Sequence, residues 1–94
     1  MYVALARLEP AVTADQPTEA DAQLVQDVLW AHATPADRLE HVRARAEAGG
    51  IDLTLFLGRA VGGQEQAKAQ SEDLLRRARH ATALSLYGIP GIYN

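Results

Sequence analysis

The chain has 94 residues, a formal net charge of −3, and 48% hydrophobic against 22% charged residues. That length leaves room for one core, and that composition excludes a chain too polar to collapse. The absence of cysteine excludes a disulfide framework, a thiolate metal site and a thiol nucleophile. A pI near 5.5 argues against a general nucleic-acid grip. No apolar run approaches the ~20 residues of a membrane span. The opening residues 1–7 lack the basic flank and cleavage pattern of a signal peptide, so a cytoplasmic location is expected. Eighteen alanines and eight arginines stand against one lysine, Lys68. That bias suits a GC-rich bacterial coding sequence, and it also suits a demand for planar, bidentate cations.

The first element is predicted at residues 2–8. Tyr2, Ala4, Ala6 and Leu8 occupy one parity and Val3 and Leu5 the other, with Arg7 beside the latter. A run that is apolar on both parities reads as a central strand. Residues 9–17 carry two prolines and read as a loop. A helix is predicted over 19–33, with Thr18 as cap and Glu19 and Asp21 in the first turn. Leu24, Val25, Val28, Leu29 and His32 form its expected apolar stripe, and Trp30 projects away from it.

The stretch 39–48 has two readings. Thr34, Pro35 and Asp37 form a helix-start signal, and Ala, Arg and Glu are good helix formers. The rival is a strand over 41–48, joined by a Gly49-Gly50 turn to a second strand at 51–57. The hairpin sorts the residues better. Val42, Ala44, Ala46, Ala48, Ile51, Leu53, Leu55 and Leu57 share one face. The other receives the pairs Glu47/Asp52, Arg45/Thr54, Arg43/Phe56 and His41/Gly58, of which only Glu47/Asp52 is a like-charge clash. The hairpin is therefore preferred. A helix over 63–81 follows, with Val61, Gln64, Ala67, Ser71, Leu74, Leu75, Ala78 and Thr82 along one side. Glu72/Arg76 and Asp73/Arg77 are spaced as i,i+4 pairs. A short strand at 83–87 and a tail at 88–94 end the chain.

Strand, helix, strand, strand, helix, short strand is the order of a split βαβ unit. In order and spacing the chain resembles the ferredoxin-like α+β sandwich, with two helices on one face of an antiparallel sheet. The resemblance spans residues 1–87 as a single domain and includes no family motif. It implies an open sheet face carrying Arg43, Arg45, Thr54 and Phe56, together with one parity of the first strand. Whether that parity is Val3, Leu5 and Arg7 or Tyr2, Ala4, Ala6 and Leu8, the apolar strip exceeds what a monomer comfortably exposes.

Chemistry is thinly represented. Residues 58–63 follow a strand and open a helix, where Arg59 and free amides would suit an anion, but the P-loop and dinucleotide patterns are missing. None of His32, His41 and His80 has metal-ligand spacing. His41, beside Arg43 and Arg45, is the best placed of them for ligand binding. No catalytic set, cofactor or metal site is expected. Trp30 and Tyr93 join Val3, Leu5, Arg7, Arg43, Arg45, Thr54 and Phe56 as interface candidates. The tail is expected to dock on the domain or on a partner chain. The expected role is a non-enzymatic binding or assembly module, most simply a homodimer through the open face, with another protein as a further partner. The alternative is a cofactor-free small enzyme or small-molecule binder of the dimeric α/β-barrel kind.

Overall fold

A computed structural model describes residues 1–11, 16–58, 62–80, 84, 87–88 and 92–93. The elements run β1 (Tyr2–Pro10), α1 (Glu19–His32), a 3-10 turn (Pro35–Asp37), β2 (Leu39–Glu47), β3 (Gly50–Leu57), α2 (Gln64–Ala78), β4 (Tyr87–Gly88) and β5 (Ile92–Tyr93). The sheet order is β2-β3-β1-β4, every pairing is antiparallel, and β5 also pairs with β1. This is the α+β ferredoxin-like layout. No described helix is long and apolar enough to cross a membrane.

The core lies between the sheet and the two helices. Ala4, Ala6 and Leu8 from β1, Val42 and Ala44 from β2, and Ile51, Leu53, Leu55 and Leu57 from β3 are buried there. Ala22, Val25 and Leu29 of α1 and Ala67, Leu74, Leu75 and Ala78 of α2 cover them. Ser71 also faces this core, and its buried hydroxyl has no hydrogen-bond partner among the described residues.

The strand reading of 39–48 holds, and the rival helix is not formed. Thr34, Pro35 and Asp37 start a helical turn, but it stops at Asp37. Arg38 then takes a left-handed conformation, φ 59°, and turns the chain into β2. The Asp37 carboxylate accepts hydrogen bonds from the Thr34 amide (2.8 Å) and hydroxyl (3.2 Å).

The hairpin has the expected faces but a different register. Ala46 pairs with Ile51, Ala44 with Leu53 and Val42 with Leu55, two residues away from the expected alignment. The turn is Ala48-Gly49, both at positive φ (50° and 78°), as the tight hairpin turn of matching twist requires. Gly50 belongs to β3, and sterics explain why. A β-carbon there would lie 2.7 Å from the Leu8 carbonyl oxygen and 2.7 Å from the Arg7 guanidinium. The shift also places Arg45, not Glu47, opposite Asp52, which removes the like-charge pair.

The apolar stripe of α1 is corrected too. Ala22, Val25 and Leu29 are buried, while Leu24 is 51% exposed. Two side chains fix the roll of the helix. The Gln26 amide oxygen accepts from the Ala44 N–H and the Glu19 carboxylate from the Ala46 N–H, each at 3.2 Å. At 100° per residue these two positions lie about 20° apart and Leu24 about 150° from them. Alanines on β2 allow the close approach that brings them into reach. The N-terminus of α1 is closed by a reciprocal cap, Asp21 N–H to Thr18 Oγ1 (3.2 Å) and Thr18 N–H to the Asp21 carboxylate (2.8 Å).

The helices are joined at one end by a charged lock. Arg77 of α2 donates to Asp37 (2.5 Å), to Asp73 (3.0 Å) and to the His32 carbonyl (3.2 Å). Burial pushes the Asp37 carboxyl up. The hydrogen bonds from Arg77 and Thr34, with the charge of Arg77, outweigh that and hold it below the usual carboxylate range.

The C-terminal pairings flank β1 in two pieces. Gly88 and Tyr87 lie opposite Glu9 and Pro10, and Tyr93 and Ile92 lie opposite Leu5 and Ala6. The expected strand at 83–87 is described only at Leu84, which is buried and helical, and at Tyr87, which lies in β4. Its remaining positions lie outside the described residues.

Candidate functional site: the open face of the sheet

Alternation along β1, β2 and β3 turns a second set of residues away from the helices. The registers stack them in three cross-strand rows. His41, Phe56 and Val3 form the first, Arg43, Thr54 and Leu5 the second, and Arg45, Asp52 and Arg7 the third. The parity left open in the sequence is thereby settled: Val3, Leu5 and Arg7 share the open face, and Tyr2 packs with the core side. Val3, Leu5, Thr54 and Phe56 are half-buried with no element covering them among the described residues, while His41, Arg43 and Arg45 on the edge strand are exposed.

The two ends of this face differ in chemistry. At the first row the His41 and Phe56 rings lie 5.6 Å apart, centroid to centroid, at an interplanar angle of 37°. At the third row Arg7 organises everything. Its guanidinium donates to the Asp52 carboxylate (2.7 Å) and to the carbonyls of Ala48 (2.7 Å) and Glu47 (3.1 Å), and it lies 3.5 Å from Glu9. Arg7 thus ties β1 to the hairpin turn across the space that the missing side chain of Gly50 leaves free. Among the described residues, Arg43 and Arg45 make no side-chain hydrogen bond or ion pair.

The face carries Arg7, Arg43 and Arg45 and, against them, Glu9, Glu47, Asp52 and the bulge residue Glu40, whose neighbour Leu39 packs on the core side and whose carboxylate lies against Gly58. Charges of both signs are interspersed across it. A shallow cleft of about 320 Å³ opens beside the charged end, lined by Arg7, Glu9, Pro10, Ala48 and Gly49.

Not all the sequence candidates meet here. Trp30, 41% exposed, is on α1 and therefore belongs to the opposite layer. Tyr93 sits at a register position opposite Leu5. Arg59 lies outside the described residues. Asp52 escaped the list of interface candidates because the expected register set it against Glu47. The cleft residues Glu9, Pro10 and Ala48 escaped because they converge only through tertiary contact. No group of His, Asp or Glu among the described residues is arranged to hold a metal ion. Comparison with family models, with curated proteins and with solved structures yields no match.

Proposed function

We propose that this protein is a non-enzymatic assembly module that pairs with a second copy of itself through the open face. One observation carries the reading: Val3, Leu5 and Phe56 form an apolar patch on a face that no described element covers. A two-fold axis presents the same patch on both sides, and the interspersed charges of both signs around it allow opposite charges to meet. Three strands about 4.8 Å apart and three rows about 7 Å apart give a patch of roughly 300 Å² per copy, small for a specific interface, so a weak, reversible dimer is expected.

The alternative, a cofactor-free small enzyme or small-molecule binder of the dimeric α/β-barrel kind, draws on the cleft beside Arg7. Its one cation is already engaged by two carboxylates and two carbonyls, which favours a structural role for it.

Light scattering after gel filtration at about 100 μM tests the proposal. Twice the 10.1 kDa chain mass is expected for the natural chain and a single chain mass for Phe56→Arg. A natural chain that stays monomeric at that concentration overturns it.

A further inference from the structure

We infer that the two sheets of the pair cross at nearly right angles, so that Arg43 of each copy meets Asp52 of the other. The inference rests on the proposed dimer and names the contact that sets its specificity.

The three rows on three strands make a lattice of nine positions, with rows about 7 Å and strands about 4.8 Å apart. Val3, Leu5 and Phe56 fill one corner and the two positions beside it. Arg45 holds the opposite corner with Arg43 and Asp52 beside it, Thr54 is central, and His41 and Arg7 take the other corners. Glu40 lies beyond His41 at one end, and Glu47 and Glu9 lie beyond Arg45 and Arg7 at the other.

Sheets pack face to face either nearly aligned or nearly orthogonal, about 10 Å apart. A two-fold axis between them then runs along the strands, across them, or along one of two diagonals. An axis along the strands sets Phe56 on Phe56, but also Asp52 on Asp52, Arg7 on Arg45 and Glu9 on Glu47. An axis across the strands sets Leu5 on Leu5, but also Phe56 on Asp52, Arg43 on Arg43 and Glu40 near Glu47. The diagonal from His41 to Arg7 sets Leu5 on Asp52 and Arg7 on Arg7. Of the four, only the diagonal from Val3 to Arg45 sets apolar on apolar and acid on base: Val3 on Val3, Phe56 on Leu5 and Arg43 on Asp52.

That crossing has two like-charge meetings. Arg45 meets Arg45, and His41 meets Arg7, whose charge Asp52 and Glu9 already offset. Glu47 and Glu9 of each copy project past the outer margin of the other copy's β2, toward Arg45 and His41, and Glu40 projects past the far margin of its β1. Asp52 has room for a second guanidinium. Arg7 donates to its Oδ1, the side chain is 44% exposed, and a carboxylate offers about four acceptor sites. Arg43 makes no side-chain hydrogen bond or ion pair among the described residues, so meeting Asp52 breaks no bond that it holds there.

The chain has no cysteine, so one introduced thiol reports one position. Val3→Cys, Leu5→Cys and Phe56→Cys, each alone, and an equal mixture of the last two are treated with a short bismaleimide at the concentration used for light scattering. Linked chains are read on a denaturing gel, and circular dichroism checks that each variant is folded. Expected is linkage in Val3→Cys and in the mixture, at least fivefold above Leu5→Cys or Phe56→Cys alone. In sedimentation equilibrium the dissociation constant should rise at least tenfold for Arg43→Gln and less than threefold for Arg45→Gln. Strongest linkage in Phe56→Cys alone or Leu5→Cys alone, no linkage although the natural chain pairs, or equal losses for the two arginines overturns the crossing and leaves the dimer standing. A natural chain that sediments as a monomer at that concentration overturns the dimer, and the crossing with it.

Discussion

Replacing Asp37 by Ala removes the one carboxylate that links the α1–β2 connection to α2. The side chain is 5% exposed and accepts from Arg77 at 2.5 Å and from the Thr34 amide at 2.8 Å. A charge-assisted hydrogen bond contributes about 1.5–3 kcal/mol and a helix-start cap about 1 kcal/mol. Arg77 is not orphaned by the change, because it is 35% exposed and keeps Asp73 and the His32 carbonyl. The penalty for a stranded buried charge, about 3–5 kcal/mol, therefore does not apply in full, and about 2.5 kcal/mol is expected. For a domain of this size that lowers Tm by about 12 °C. Urea unfolding followed by the single tryptophan, Trp30, measures it. Asp73→Ala, which removes the solvent-facing partner of the same guanidinium, should cost under about 1 kcal/mol. The pair also predicts a pH dependence. The folded-state pKa of Asp37 lies below its ordinary value, so its contribution is fully present above about pH 4 and is lost as pH falls through the folded value. Asp37→Ala should therefore flatten the loss of stability in acid. A cost below 1 kcal/mol, equal costs for Asp37 and Asp73, or an unchanged acid limb would refute the assignment of the lock to Asp37 and Arg77.

Three substitutions probe the rest of the frame. Gly50→Ala sets a methyl 2.7 Å from the Leu8 carbonyl, a backbone atom that cannot retreat without breaking β1–β3 pairing; at least about 2 kcal/mol should be lost in urea unfolding. Ala48→Asn relieves a non-glycine residue at φ 50° and creates Asn-Gly in the turn; a gain of about 0.5–1 kcal/mol is expected by the same method. Ser71→Ala removes a buried hydroxyl without a partner and improves helix propensity, so Tm should rise by a few degrees in a thermal melt, for about 0.5–1 kcal/mol.

The layout was legible in the sequence because it is written in periods. Alternation at Val42, Ala44 and Ala46 against Arg43 and Arg45 separated the faces of β2 without any knowledge of its neighbours. The register was not legible, because period two is indifferent to a shift by two residues. What decides it is Arg7 and Leu8, 42 or more positions before Gly50, which leave no space for a side chain there. The rotation of α1 was misread for a related reason. A hydrophobic stripe favours the larger Leu24, whereas the hydrogen bonds of Glu19 and Gln26 to β2 turn the smaller Ala22 inward. Asp37 looked like a local cap and proved to be that and also a long-range partner, since nothing periodic links it to Arg77. The open-face residues were largely foreseen, and Asp52 was missed through the register alone.

The bonds from Glu19 and Gln26 to the Ala46 and Ala44 amides have a consequence for how large an assembly can grow. An edge strand with free outward amides invites another strand, and then another, without limit. Here β2 has two of those amides satisfied by its own helix. The opposite margin of β1 is occupied by the pairings of β4 and β5, so β1 is not itself an open edge. The proposed face-to-face pairing would then close at two copies instead of continuing sideways as a fibre.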